Sequence, residues 1–361
     1  MMLSLYPRKA YCLLSMISCF SFATAQSNLS GADSLLNFIK LNRTRSSIFL
    51  VKDNALVGKL NEDKLMPLAS TEKIIVAVEF AKQSGHKIFN DEGYVALTEL
   101  DKYYIPNTDN DAHLKWLKYE KQKGNIKNDS IKLLDVARGM TMFNSNANTE
   151  FLMDTLGFDN VKSNLPIFGL TKHTALYPVV SVLFLYQNPK GIKESEILKY
   201  LKKLSEEQYA KLTMFIHSQL KYNPSFKKTF RPRDLTLNMQ KLMNARLPVS
   251  TTREYVQIVK ILNDRKYFGD NSYGVLAEIL ETIMEDPANN KWLLHGGQKG
   301  GYTLFALTRA LYASFKDGTT IEMAYFFNDL TGAENYKLQG WEDDFNFRVL
   351  KDGEFRKKIK F

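Results

Sequence analysis

The stretch Pro67-Leu68-Ala69-Ser70-Thr71-Glu72-Lys73, followed at once by Ile74-Ile75-Val76-Ala77-Val78, constrains the chain more than any other. Ser is a favoured helix N-cap, and the dozen residues after Ser70 contain neither Pro nor Gly, so the spacing predicts a helix beginning at Ser70. Five consecutive apolar residues leave that helix no polar face, which requires it to be packed on all sides within a domain. Lys73 falls three residues after Ser70, placing amine and hydroxyl on one face. A serine hydroxyl is a poor nucleophile at neutral pH, and a buried lysine with a lowered pKa can take its proton. Free N–H groups at the helix start would stabilise an oxyanion. The same spacing also suits an ordinary N-cap whose lysine snorkels to water. Three further Ser-x-x-Lys sequences, at Ser84, Ser218 and Ser225, read as solvated helix faces or loops.

The chain opens with Arg8-Lys9, an apolar stretch from about Ala10 to Phe22, and Ala23-Thr24-Ala25. This is the pattern of a secretory signal peptide over residues 1–25, with cleavage before Gln26. Both cysteines, Cys12 and Cys19, lie within it, so the mature chain has no disulfide, thiolate metal site or cysteine nucleophile. Lipidation at Cys19 is an alternative that Met16 and Ile17 fit poorly. A secreted, periplasmic protein is expected, a monomer with no cofactor and no metal. No later apolar run is long enough to cross a bilayer, Val179 to Tyr186 being only eight residues. Losing Arg8 and Lys9 takes the formal charge from +10 to +8. An exported protein seldom meets nucleic acid, so acidic envelope polymer, or no charged partner, is the expectation.

Residues 26–361 are read as a single domain. Asp33 to Leu41 has helical spacing, and Ser47 to Val51 with Ala55 to Leu60 form a hairpin around Asp53-Asn54. Pro106-Asn107-Thr108-Asp109-Asn110-Asp111 carries acidic oxygens but lacks the Gly and Glu of an EF-hand, and reads as a surface loop rather than a calcium site. Ser130 to Met142 is an amphipathic helix, ending at Phe143-Asn144-Ser145-Asn146-Ala147-Asn148. The Lys-rich region from Gly191 to Leu247 is helical with a solvated face. Lys299-Gly300-Gly301-Tyr302 opens an apolar run to Phe315, and Asp317-Gly318 turns into an alternating strand, Thr320 to Phe327. Gly340 to Ile359 reads as a closing helix. Sheet elements at both ends with helices between imply an α+β fold: an α/β lobe from 26–69 plus 285–361, and an inserted helical lobe over 70–284.

In that order, Ser-x-x-Lys at Ser70, the Ser/Asn cluster near residue 145 and Lys299-Gly300-Gly301 resemble the motif set of the serine β-lactamase and penicillin-binding-protein superfamily, and within it the class A β-lactamase-like serine hydrolases. The resemblance spans nearly all of the mature chain. It implies the β-lactamase/transpeptidase fold, with Ser70 as acylated nucleophile and Lys73 as its proton acceptor. Lys299 would attract the substrate carboxylate, the N–H groups of Ser70 and Tyr302 would form the oxyanion hole, and Asn146 would hold the substrate amide. Gly300 and Gly301 would keep the close strand approach. The family's middle motif is Ser-x-Asn, but with Asn146 in register Asn144 takes the serine position and Ser145 is one residue late. Either Ser145 reaches in to shuttle the proton or the Asn144 amide stands there. Gly300 replaces the family's Thr or Ser.

The glutamate that activates the deacylating water in β-lactamases has no counterpart between Phe151 and Lys193, where His173 is the available base or else a core-edge histidine. The resemblance implies a small-molecule substrate, a β-lactam or a peptidoglycan peptide, and no nucleic acid. The alternatives are a D-alanyl-D-alanine peptidase or esterase, and a non-catalytic peptidoglycan-binding envelope protein.

Overall fold

The structure, a computed structural model, describes residues 30–188 and 190–361; the expected signal peptide and Cys19 lie outside these residues. Helix α1 (Gly31–Leu41) starts at Ser30, whose hydroxyl accepts the Asp33 N–H at 3.1 Å. Strands β1 (Ser46–Lys52) and β2 (Ala55–Leu60) follow, joined through Asp53 and Asn54. Both turn residues have left-handed φ, 50° and 64°, as a tight two-residue hairpin requires. The other three strands come from the far end of the chain: β3 (Leu293–Tyr302), β4 (Leu307–Phe315) and β5 (Thr320–Phe327). All pairings are antiparallel in the order β2-β1-β5-β4-β3. The first strand therefore pairs with the last, Ser46 against Phe327, and the fold closes only when both chain ends meet.

The period of two sorts the sheet's faces. Ile48, Leu50, Met323, Tyr325 and Phe327 pack on α1 and the closing helix. Ala310, Tyr312, Ala324 and Phe326 face a larger core that includes α2 (Lys73–Gly85). Every residue of α2 from Lys73 to Ala81 is buried, as its unbroken apolar run demands. Around it pack α3 (Leu133–Met142) and α4 (Asn146–Leu156) and, past α5 (Thr252–Asp264), which lies on the sheet, α6 (Asp270–Leu280). The Lys-rich region builds three helices, Glu194–Lys203, Glu206–Tyr222 and Leu237–Ala245, over a small separate core of Tyr186, Leu201, Tyr209 and Met239. Among the described residues no helix is long and apolar enough to cross a membrane.

Three local readings are corrected. Ser70 does not cap a helix: the chain enters α2 through a 3₁₀ turn, Ala69–Glu72, and the α-helix proper starts at Lys73. The incoming Met66 and Pro67 are held extended against Val249 and Ser250, so the turn must be abrupt, and Ala69 takes it with φ 45°. Such a backbone costs a non-glycine residue about 1–3 kcal/mol. The Lys299-Gly300-Gly301 motif ends strand β3 rather than opening a strand. The closing helix α7 (Gly332–Lys351) begins before Gly340, at a capping box between Thr331 and Glu334 that outweighs the glycine inside it.

The close approach of β3 to the Ser70 turn falls at Gly301. A Cβ there would lie 2.2 Å from Ser70 N and 2.7 Å from its Cα, both backbone atoms that cannot step aside. Gly301→Ala should destabilise the fold by about 3 kcal/mol, the upper range for overpacking. Gly274→Ala, at an exposed position within α6 where an added Cβ meets nothing within 4 Å, should instead stabilise by about 0.5–1 kcal/mol. Denaturant melts of the two variants test the pair, and equal midpoints would contradict it.

Candidate active site

The Ser70 turn is pinned to the sheet from below. Thr308 on β4 donates its hydroxyl to Leu68 O at 2.8 Å and accepts from Thr71 Oγ1 at 2.7 Å. Thr308 is also the cross-strand partner of Gly301, so the same contact fixes the end of β3 against the Ser70 amide. Ser70 itself is half-buried at the lip of this corner.

Lys73 is 1% exposed and donates to Asn144 O at 2.8 Å and to Asn146 Oδ1 at 2.9 Å. Burial lowers its pKa to about 7, against the opposing pull of Glu72 and Asp109. Lys299, from β3, is 2% exposed and donates to Asn144 Oδ1 and to Gly300 O. Burial, and then the positive charges of Lys73 and Arg309, hold its pKa well below the usual lysine value. Asn144 thus joins the two amines, one through its backbone carbonyl and the other through its side chain. It manages both because it sits at φ 66°, a left-handed conformation that Asn tolerates better than most residues.

Ser145 is turned away from this group. It is fully buried as the N-cap of α4, its Oγ accepting the Asn148 N–H at 3.2 Å and lying 3.0 Å from both His113 Nδ1 and Asn148 Oδ1. The reading in which Ser145 reaches the lysines is therefore corrected: the helix start claims its hydroxyl, and Asn144, one residue earlier, faces them. Gly300 has its own steric reason. A Cβ there would meet the Arg309 guanidinium at 2.8 to 3.0 Å, and Arg309 is held by Glu342 at 3.0 Å.

Several residues of this corner were not read from the sequence. The acidic loop is more than a surface feature: Asp109 accepts the His113 N–H at 3.1 Å, and Asn110 Nδ2 donates 2.9 Å across the cleft to Tyr302 Oη. Among the described residues no three His, Cys, Asp or Glu side chains converge as a metal site needs. Glu72 lies inside the protein with its pKa pushed up to about 8 by burial. Arg309 adds a third cation beside Lys299. His173 has both ring nitrogens engaged, Nδ1 2.6 Å from Thr174 O and Nε2 3.2 Å from Tyr255 Oη, and burial lowers its pKa. A carbonyl partner makes Nδ1 the protonated nitrogen, leaving Nε2 to accept from Tyr255.

Comparison with solved structures returns the same architecture. A β-lactamase from Sphaerobacter thermophilus DSM 20745 superposes with a TM-score of 0.54 at 13% identity, covering 88% of this chain and 96% of that one. A class A β-lactamase representative from Bacteroides cellulosilyticus DSM 14838 gives 0.52 at 11% identity, over 89% and 100%. PBP-A gives 0.51 at 13%, over 89% and 96%. At such identities the likeness is one of fold. A search of curated proteins finds no match. The sequence profile of the β-lactamase enzyme family, however, matches residues 34–269, well over half of the chain, and with the β-lactamase/transpeptidase architecture around Ser70 this places the protein in that family.

Proposed function

We propose that the protein is an exported serine hydrolase that forms an acyl-enzyme at Ser70 with a β-lactam or a related amide and releases it slowly. The observation that carries this reading is the burial of Lys73 and the two hydrogen bonds that hold its amine. A neutral amine has two N–H groups and one lone pair. Here two N–H donations go to Asn144 O and Asn146 Oδ1, and a pKa of about 7 keeps a large fraction of the amine neutral at physiological pH. The remaining lone pair, one helical turn from Ser70, is the base a serine nucleophile needs. The amides of Ser70 and Tyr302, at the corner clamped by Thr308, are the candidate oxyanion donors, and Lys299 is the candidate partner of a substrate carboxylate. Residues 1–25, with their leader pattern, support export.

Slow release follows from what surrounds the ester. No glutamate lies between Phe151 and Lys193, and His173 has no free nitrogen to activate water. A peptidase or esterase of the same mechanism is the second reading, favoured by this missing base. Among proteins of similar fold, a variant of PBP-A is described as an acyl-enzyme complex with penicillin G.

Three experiments test these roles. A fluorescent penicillin should label the wild type stoichiometrically. Ser70→Ala should abolish labelling, and Lys73→Arg should slow it by about 10²–10⁴-fold, since arginine stays protonated. Labelling that survives in the Ser70 variant would remove it as the nucleophile. Stopped-flow hydrolysis of a chromogenic cephalosporin should give a burst of one equivalent and then slow turnover, unchanged in His173→Ala; steady rapid turnover without a burst would contradict slow release. For the middle motif, Ser145→Ala should cost about 1–2 kcal/mol of stability as a lost cap while leaving labelling near normal. Asn144→Ala should slow labelling about tenfold to a hundredfold by freeing Lys299, which bonds the side chain, and by straining the left-handed backbone whose carbonyl holds Lys73. The opposite pattern would return the role to Ser145.

A further inference from the structure

The positive charge of this chain is gathered in one place. Residues 191–247, which build the three helices over the small separate core, hold 12 Lys and Arg against 5 Asp and Glu, a net +7. The rest of the chain after residue 25 holds 35 against 34, a net +1. Four cations of the region are paired: Lys211 with Glu207, Lys221 with Asp154, Lys227 with Asp101 and Arg231 with Asp234. Lys202 and Lys203 lie in the last turn of their helix and offset its negative C-terminal end. Lys199 and Lys241 do neither. Each is exposed in mid-helix, and neither pairs with a carboxylate among the described residues.

The helices Glu194–Lys203 and Leu237–Ala245 run side by side in the same direction. At their starts the Thr236 hydroxyl donates to Glu194 at 3.1 Å, and at their ends Arg246 donates to Leu204 O at 3.0 Å. Lys199 and Lys241 therefore stand at the same level. Ile197, Leu201, Met239 and Leu242 turn inward to one core, so the opposite faces of the two helices look outward together. Helical spacing puts Lys199, Lys203, Leu237 and Lys241 on those faces, with Tyr200 at the flank and Ile192 just ahead of the first helix. Tyr200 and Leu237 are 56% and 61% exposed, so this side mixes bare apolar groups with unpaired ammonium groups. Neighbouring lysines repel, and a hydrated acidic polysaccharide would relieve that repulsion while offering Leu237 nothing. A bilayer interface serves both: anionic headgroups take the ammonium groups, lysine stems lie along the surface, and the apolar side chains enter the acyl boundary. We propose that this helix pair is a docking surface for an anionic lipid bilayer, holding the protein peripherally at a membrane. The inference goes beyond the chemistry at Ser70 and does not depend on it.

The test is co-sedimentation of the mature chain, from Gln26, with vesicles of mixed phosphatidylglycerol and phosphatidylcholine, against vesicles of phosphatidylcholine alone. Capture is expected on the first and not on the second, and raised salt should release it. Lys199→Gln and Lys241→Gln should each weaken capture about fivefold and flatten its salt dependence. Leu237→Ser should weaken it about fivefold to tenfold and leave the salt dependence as it is. Lys40→Gln, at an exposed position on α1, should change nothing. Equal capture by both vesicle types, capture by neither, or an equal loss in Lys40→Gln would overturn the proposal. Retention on soluble polygalacturonate through Lys199 and Lys241, indifferent to Leu237→Ser and without vesicle capture, would also overturn it and put an acidic polymer in place of the bilayer. A failure of penicillin labelling would leave the vesicle result standing.

Discussion

Two buried ammonium-bearing side chains in one corner would repel each other unless something between them supplied negative dipoles, and here Asn144 does so. Its carbonyl takes Lys73 and its side-chain oxygen takes Lys299. Lys73 comes from the central helix of one lobe, and Lys299 from the edge strand of the sheet. The asparagine between them therefore joins helix and sheet at the point where the chemistry is proposed to occur. Much else serves this junction: the left-handed φ of Asn144, the capping of α4 by Ser145 one residue later, and the Thr308 clamp beneath.

The electrostatics follow from the same constraint. Burial disfavours both ammonium forms, and at Lys299 the charges of Lys73 and Arg309 add to the effect. The site is thus biased toward free amine, the form that can accept a proton. Glu72 and Asp109 oppose that bias at Lys73, whereas Arg309 reinforces it at Lys299. Two lysines of similar burial are in this way given unequal surroundings, one able to gain and lose a proton and the other kept as a donor to Asn144 and Gly300.

The sequence displayed the parts of this arrangement that are local. Ser70 and Lys73 share one helical turn, the apolar run after them announces a buried helix, and the alternating strands at both chain ends announce the sheet. It could not display what depends on a single backbone angle. Whether Asn144 or Ser145 faces the lysines turns on the φ of Asn144, and Ser at an N-cap looks the same in sequence whether or not it also reaches a cleft. The entry to α2 was misread for a related reason: Ala69 gives no warning of a left-handed φ. Long-range contacts were equally silent. Asn110 meets Tyr302 across 192 residues, and neither carries a pattern that foretells the other. Glu72 stands in plain view within Ser-x-x-Lys, yet nothing in the sequence says that its Oε2 is buried without a hydrogen-bond partner among the described residues.

Gly300 and Arg309 have a consequence for how this site can change. A side chain at 300 would enter the space of the Arg309 guanidinium, which is anchored by Glu342. A larger residue at 300 therefore requires the guanidinium to give way, against its anchor on Glu342. The two positions are coupled in this sense: what fits at 300 depends on where the Arg309 head is held.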